Sequence, residues 1–496
     1  MFAYGITHCL FVILLILFIR NICDPKTIMH FIIVNLCFEF VLSAIMFFYT
    51  YSAGLKVYCN LGSINIIPGL VTKDIILIYD STTFFFQSMV IVIVVFFLVF
   101  LMQYFEYDYH TKKIIVLSSI FSQLALIFFC TYDLLSIICL WGCISMVSFF
   151  LVHYWSKRVN NVKYNIMFFF ISLVGDFFFL IALFFILIVF ETTNVSVILE
   201  RSYKTNNVFM YNLDTIYFKL TPILFSISFF LKSYQFIFLN WILYSTENTL
   251  SIPEQVYSIT QTITFFYIFY RLKDIIIISE SVEYFYYFFS FFVIITATFL
   301  SFFQDDVKKL LACSAASQLS YSILCISIDL TNESLILLFF FFFNKAFMFF
   351  WFGFVKYEDR VVPDMRLRKK IKLSTFEKIG LILYIINLTS YILYIYWQIK
   401  VLLINVSIFS HLANILFGLD ILKITWLFSS LYLLRLCVLL FSLIYKRKNY
   451  IKTLNIKIDL FLKDEVNIEH YAFLFVMFLI FFILFCIINF LIILFI

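Results

Sequence analysis

Apolar runs of about 20 residues recur along this chain, and a helix of that length is what the hydrocarbon of a bilayer requires of a spanning segment. The run 82–104, TTFFFQSMVIVIVVFFLVFLMQY, carries no charge at all. The runs are continuous and do not alternate polar with apolar residues, which excludes the pattern of a β-barrel. With 496 residues, 64% of them hydrophobic and 71 of them Phe, there is more apolar surface than a soluble globule could hide. The mean hydropathy is +1.05. Only 9 Gly and 5 Pro punctuate the chain, as expected of long helices joined by short loops. The sequence predicts an all-α polytopic membrane protein.

About fourteen spans follow from the runs: 4–19, 29–52, 82–104, 114–130, 133–155, 164–190, 216–243, 254–272, 283–303, 308–329, 334–355, 376–410, 426–445 and 471–496. The seventh and twelfth are too long for one straight crossing and carry Lys232 and Lys400, a pattern that marks discontinuous helices at ion sites. Loops after odd-numbered spans hold most of the basic residues, including the runs Lys356–Lys372 and Lys446–Lys463. Loops after even-numbered spans hold only Lys56, Lys73, Arg201, Lys204, Arg271 and Lys273. By the positive-inside rule the odd loops face the matrix or cytoplasm, and both termini face the other side. The run 366–372 fits a retention signal beside a helix, and no nucleic-acid partner is expected. Residues 53–81 predict a β-hairpin outside the membrane, and 191–215 a second loop on the same side.

The eleven cysteines are scattered through apolar segments, and Cys139 and Cys143 form no Cys-x-x-Cys motif, so inert core thiols and no metal site are expected. The charged residues inside the spans are more informative, because an ionisable group at the bilayer centre costs about 2.5–3.5 kcal/mol on insertion scales. Lys219, Lys378 and Lys423 lie near span ends and can snorkel. Lys232, Lys345 and Lys400 are deep and Arg435 also falls within a span. Three deep lysines on three helices suggest a proton path, with structural ion pairing as the alternative.

The stretch QDDVKKLLACSAASQL, 304–319, puts Asp305, Asp306, Lys308 and Lys309 at the mouth of a helix whose next turns carry Ser314, Ser317 and Gln318. It resembles the Gln-x-Asp-x-Lys-Lys-x-x-Ala-x-Ser-x-x-Ser-Gln segment of the subunit 5 family of mitochondrial NADH dehydrogenase, antiporter-like membrane-arm subunits of respiratory complex I. The stretches LVGDFFFLIA around Asp176, LKSYQFIFLNW around Lys232, FFNKAFMF around Lys345, YLLR at 432–435 and YDSTT at 79–83 resemble that family's motifs in order and spacing.

The resemblance implies two inverted five-helix repeats with broken helices 7 and 12, at 114–272 and 273–445. An N-terminal part (1–113) would precede them, and a basic loop with a last helix (446–496) would follow. It implies that Lys232, Lys345 and Lys400 carry protons and that Asp306, Lys308, Lys309, Ser314, Ser317 and Gln318 form the entrance of the tenth helix. It further implies a multi-pass protein of the mitochondrial inner membrane, organelle-encoded, beside other membrane-arm subunits such as the subunit 4 type, with lipids such as cardiolipin. No cofactor is expected in this chain, and redox chemistry would belong to partner chains. The family's long lateral helix is expected to be missing, since one span follows residue 463.

The sequence departs from the family where the proton wire would run. The partner glutamate of the fifth helix falls at Trp141, and 134–155 contains no acid. The eighth helix's histidine falls on Tyr257, and the eleventh helix's two histidines are replaced within LILLFFFFFNK. The arginine three residues before Asp176 is Leu173. Asp176 is therefore expected to serve as counter-ion to Lys232. Three functions stand at this point: a proton-moving coupling subunit, a scaffold that has lost pumping, and a stand-alone cation/proton antiporter.

Overall fold

The computed structural model describes residues 25–67, 71–104, 109–153, 159–205, 216–233, 251–276, 280–304, 307–327, 330–339, 341, 342 and 345. In chain order the elements are α1 (Pro25–Ala53), β1 (Val57–Ile67), β2 (Val71–Tyr79), α2 (Ser81–Tyr104), α3 (Tyr109–Cys130), α4 (Leu134–His153), α5 (Val159–Phe190) and α6 (Val195–Thr205). They continue with α7 (Ile216–Lys232), α8 (Ser251–Ile276), α9 (Glu280–Phe303) and α10 (Val307–Ser327). Residues 331–339, 341, 342 and 345 are also helical. Five of the described helices are long and apolar enough to cross a membrane: Met29–Ala53, Ser81–Val99, Lys113–Cys130, Leu134–Leu151 and Phe169–Phe190. The spans expected at 4–19, 376–410, 426–445 and 471–496 lie outside the described residues, as do Lys400 and Asp306.

The expected hairpin at 53–81 is present. Strands β1 and β2 pair antiparallel from Val57↔Tyr79 to Ile67↔Val71, with register shifts between Asn60 and Ser63 and between Asn65 and Ile67. One expectation needs correction. The loop expected at 191–215 contains a helix, α6, whose mixed polar and apolar sequence falls below any hydropathy threshold for a span. Of the span expected at 216–243, α7 covers the residues up to Lys232 and Ser233 lies in a turn, while residues 234–243 lie outside the described residues.

On α1 the buried polar residues Asn35, Glu39 and Ser43 recur at every fourth position, while Phe31, Val34, Phe38, Val41, Ile45 and Phe48 are exposed. That spacing is one helical face, which points into the bundle together with the apolar Met29, Ile32 and Leu36. The helix α2 lies deepest, with Val90, Ile91, Val94 and Leu98 inaccessible inside one continuous core shared by α1 to α10. Between α9 and α10, Ala297, Ala312, Cys313 and Ala316 form a patch of small side chains, which lets two helix backbones come close.

One end of the bundle is tied together by polar residues at helix starts. Asp80 caps α2: the Thr83 amide donates to Asp80 Oδ1 at 2.9 Å, and the Asp80 amide donates to Thr83 Oγ1 at 3.0 Å. Asp133 and Asn194 cap α4 and α6 in the same manner, receiving the amides of Ser136 and Ser196. Isolated bridges join Leu77 to Thr131 and Asp133 to Asn194, so the hairpin and the 191–195 segment share this end.

Arg271, near the end of α8, closes the arrangement. It donates to both carboxylate oxygens of Asp80 at 2.6 Å, and it lies over the rings of Tyr132 and Tyr267 at 5.6 and 5.2 Å. Tyr267 in turn donates its hydroxyl to the Phe129 carbonyl. Burial raises the Asp80 carboxyl, but the charge and hydrogen bonds of Arg271, with those from Thr83 and Thr82, outweigh it and hold the group below the usual carboxylate range.

Asp80→Asn is expected to lower stability by about 3–5 kcal/mol, because it strands a buried guanidinium. A carboxylate with a depressed pKa stabilises the fold above its unfolded pKa and loses that contribution as pH falls through the folded value. The difference between wild type and variant should therefore be full near neutrality and vanish in acid. Thermal unfolding of both in detergent, from about pH 7 to about pH 3, checks it.

Candidate functional site

At the last turn of α7 the side chain of Lys232 is 3% exposed and carries its ammonium into an aromatic-walled interior. A helix C-terminus presents unpaired carbonyls and the negative end of its dipole, which favours a cation there. The nearest acid comes from α5. Asp176 Oδ1 lies 2.7 Å from Lys232 Nζ, within direct contact. At an effective dielectric of about 20 the attraction at this distance is about 6 kcal/mol, comparable to the several kcal/mol that removing each ion from water costs. The pair is close to neutral for stability, whereas either ion alone would be expensive.

Gly175 makes the approach possible. A Cβ at this position would stand 3.1 Å from Lys232 Cγ and 3.4 Å from both Leu231 Cβ and the Ser228 carbonyl oxygen. The Gly-Asp pair thus has a divided role: the glycine lets α5 and α7 close together, and the aspartate meets the ammonium once they have. Leu173, where the resembling family has arginine, points outward and is 44% exposed. An arginine there would face lipid, and Asp176 is left to Lys232.

The α4 side of the lysine carries no acid. Trp141 is 2% exposed and its ring centroid lies 5.0 Å from Lys232 Nζ, a cation–π distance. The indole is held edge-on against Phe179 and packs near Phe128 and Phe229. One turn along α4, Ser145 Oγ accepts a hydrogen bond from Lys232 Nζ at 2.8 Å and donates to the Trp141 carbonyl at 2.8 Å. Beyond it, Ser148 Oγ donates to the Ser145 carbonyl at 2.7 Å and accepts from Gln261 Nε2 of α8 at 2.8 Å. Sequence reasoning singled out neither Ser145, Ser148 nor Gln261, since serine and glutamine in a span have no distinguishing signature. Tyr257 lies in α8 one turn before Gln261.

A second buried lysine lies against α10. Lys345 is 2% exposed and donates to Ser314 Oγ on α10, so the expected bridging lysine and the expected entrance serine are brought together. Ser317 and Gln318 are also buried, and Gln318 Oε1 has no partner among the described residues. Lys308 and Lys309 fall in the first turn of α10.

Glu39, inaccessible on α1, is a further acid that sequence reasoning passed over. It accepts from Gln123 Nε2 at 3.3 and 3.4 Å and from Asn35 Nδ2 at 3.3 Å. A charge inside the run 29–52 was the signal. Among the described residues no cluster of three His, Cys, Asp or Glu is placed to hold a metal ion.

The chain has counterparts among known proteins. Residues 131–417 match the model of the NADH:quinone oxidoreductase/Mrp antiporter transmembrane family. The chain belongs to this family. Its curated relatives are chain 5 proteins of NADH-ubiquinone oxidoreductase. The relative from Wickerhamomyces canadensis is 23% identical over 48% of this chain and 36% of its own length. Those from Chondrus crispus and Yarrowia lipolytica are 24% and 23% identical over 54% and 51% of this chain, and 40% and 37% of theirs. The matched stretch thus spans about two fifths of each relative. In fold, the chain is similar to one in the structure of a membrane-bound sulfane sulfur reductase, an archaeal respiratory membrane complex. The TM-score is 0.72 at 14% identity, over 90% of this chain and 88% of that one.

Removing Lys232 alone strands a buried carboxylate, and Lys232→Met is expected to destabilise the family fold by about 3–5 kcal/mol. The double variant Lys232→Met/Asp176→Leu should cost less than Lys232→Met, because both charges leave together. Unfolding midpoints of the single and double variants in detergent give the coupling directly.

Proposed function

We propose that this chain is a chain 5-type membrane-arm subunit of respiratory complex I, and that it moves protons across the mitochondrial inner membrane while electron transfer proceeds in other subunits. The single observation that supports this most strongly is the buried Lys232–Asp176 pair at the end of α7. An intramembrane ion pair whose members can each bind or release one proton is an element that a proton relay needs. Lys345 on Ser314 supplies a second such group, and Lys400 is assigned to the same path. The entrance is assigned to Asp306, Lys308, Lys309, Ser314, Ser317 and Gln318, and Tyr257 is retained as a member on the α8 side. The two inverted repeats at 114–272 and 273–445, the fourteen spans and the matrix side of the odd loops belong to the same proposal. So do a subunit 4-type neighbour, cardiolipin contacts and redox cofactors confined to partner chains.

The competing reading is a membrane-arm scaffold without pumping. It is favoured by Trp141, an uncharged ring where the resembling family carries an acid. Proton uptake per electron, measured in sealed vesicles that carry the intact assembly, separates the two. A proton-moving subunit predicts that Lys232→Ala and Asp176→Asn lower proton movement more than electron transfer. Unchanged ratios in both variants would establish the scaffold. Migration of the chain alone, outside a large respiratory assembly, would instead favour a stand-alone antiporter.

A further inference from the structure

Lys232 faces two helices, and only one of them is charged. Asp176 of α5 holds the ammonium as an ion at 2.7 Å, while Ser145 of α4 holds the same nitrogen through a hydroxyl at 2.8 Å with the Trp141 ring beside it. Many serines of membrane helices do no more than bond a carbonyl one turn back, as Ser145 also does with Trp141. Ser145 differs in accepting from a buried cation at the same time. The side it belongs to continues as an uncharged polar file through Ser148, inaccessible, to Gln261 on α8, 4% exposed.

We propose that Ser145, with Trp141, is a neutral second station for the Lys232 ammonium, a positioning residue from which the lysine releases its proton. The inference rests on the proton-moving function proposed above. In the paired state Asp176 is a carboxylate and Lys232 an ammonium. A proton arriving at Asp176 forms an O–H bond, neutralises the carboxylate and ends the ionic attraction. The ammonium is then held by Ser145 Oγ and the indole face alone. Those neutral partners stabilise the charged form less than a carboxylate does, so an N–H bond of Lys232 breaks and the proton passes to water along the Ser148–Gln261 side. The Asp176 proton next moves to the free amine, and the ion pair is restored. One proton enters at Asp176 and one leaves at α4, with no change of oxidation state. With Asp176 already its counter-ion, a second carboxylate on α4 would hold the ammonium from both sides at once, and Ser145 and Trp141 avoid that.

The test is proton movement per electron in sealed vesicles carrying the intact assembly, with electron transfer as the control for assembly. Ser145→Ala should lower the ratio by as much as Lys232→Ala does, the share that this chain contributes. Ser145→Asp should lower it at least as far, by holding the lysine on both sides. The charge swap Ser145→Asp/Asp176→Asn should recover part of what Asp176→Asn loses, because one acid then faces the ammonium from the other helix. A merely structural serine predicts that electron transfer falls together with proton movement in Ser145→Ala and the ratio stays. A wild-type ratio in Ser145→Ala, alongside a loss in Lys232→Ala, would overturn the second station and leave the proton-moving function standing. A wild-type ratio in Lys232→Ala would overturn both.

Discussion

The contact between Lys232 and Asp176 exists because a buried ion without a partner is costly. Aromatic side chains wall the site, and Trp141, Phe179 and Phe229 touch one another around it. In that setting the placement of α5 against α7 is an electrostatic requirement as much as a packing one. Gly175 removes the side chain that would stand in the way, and the end of α7 puts the ammonium where its own helix dipole favours it. Changes at any of these points reach the others, because all serve one separation of 2.7 Å.

The opposite kind of ion pair secures the hairpin end. Asp80 and Arg271 meet through two parallel hydrogen bonds, with a capped helix start on one side and a tyrosine pair on the other. A doubly bonded guanidinium remains protonated at any physiological pH and gives up its partner slowly. The two pairs divide the work. One is rigid and fixes where α8 ends relative to the hairpin, and the other joins a lysine to a carboxylate, both of which can change protonation state.

Much of this was legible in the sequence because charge inside an apolar run is conspicuous. Lys232, Lys345 and Asp176 stood out for that reason, and the hairpin stood out as a polar interval between two greasy ones. The same signal exists for Glu39 inside the run 29–52. The end of α7 was legible only as an over-long run with a charge inside it. Other features had no local signature. Ser145 and Gln261 become partners only when α4, α7 and α8 are brought side by side. Arg271 reads from sequence as a loop cation, and its clamp on Asp80 depends on a contact across 191 positions of chain.

The stripe on α5 carries a consequence for how such a chain diverges. Ile166, Phe170, Phe177, Phe184 and Ile188 face outward, while Gly175, Asp176 and Phe179 face in. Acyl chains have no fixed shape to complement, so any bulky hydrocarbon side chain satisfies the outer row equally well. Nucleotide bias in the coding genome can therefore accumulate there as phenylalanine and isoleucine without a structural cost. The inner row has no such freedom. Two proteins of this architecture can then differ freely along such outer rows while superposing closely, because those rows answer to a solvent that does not discriminate.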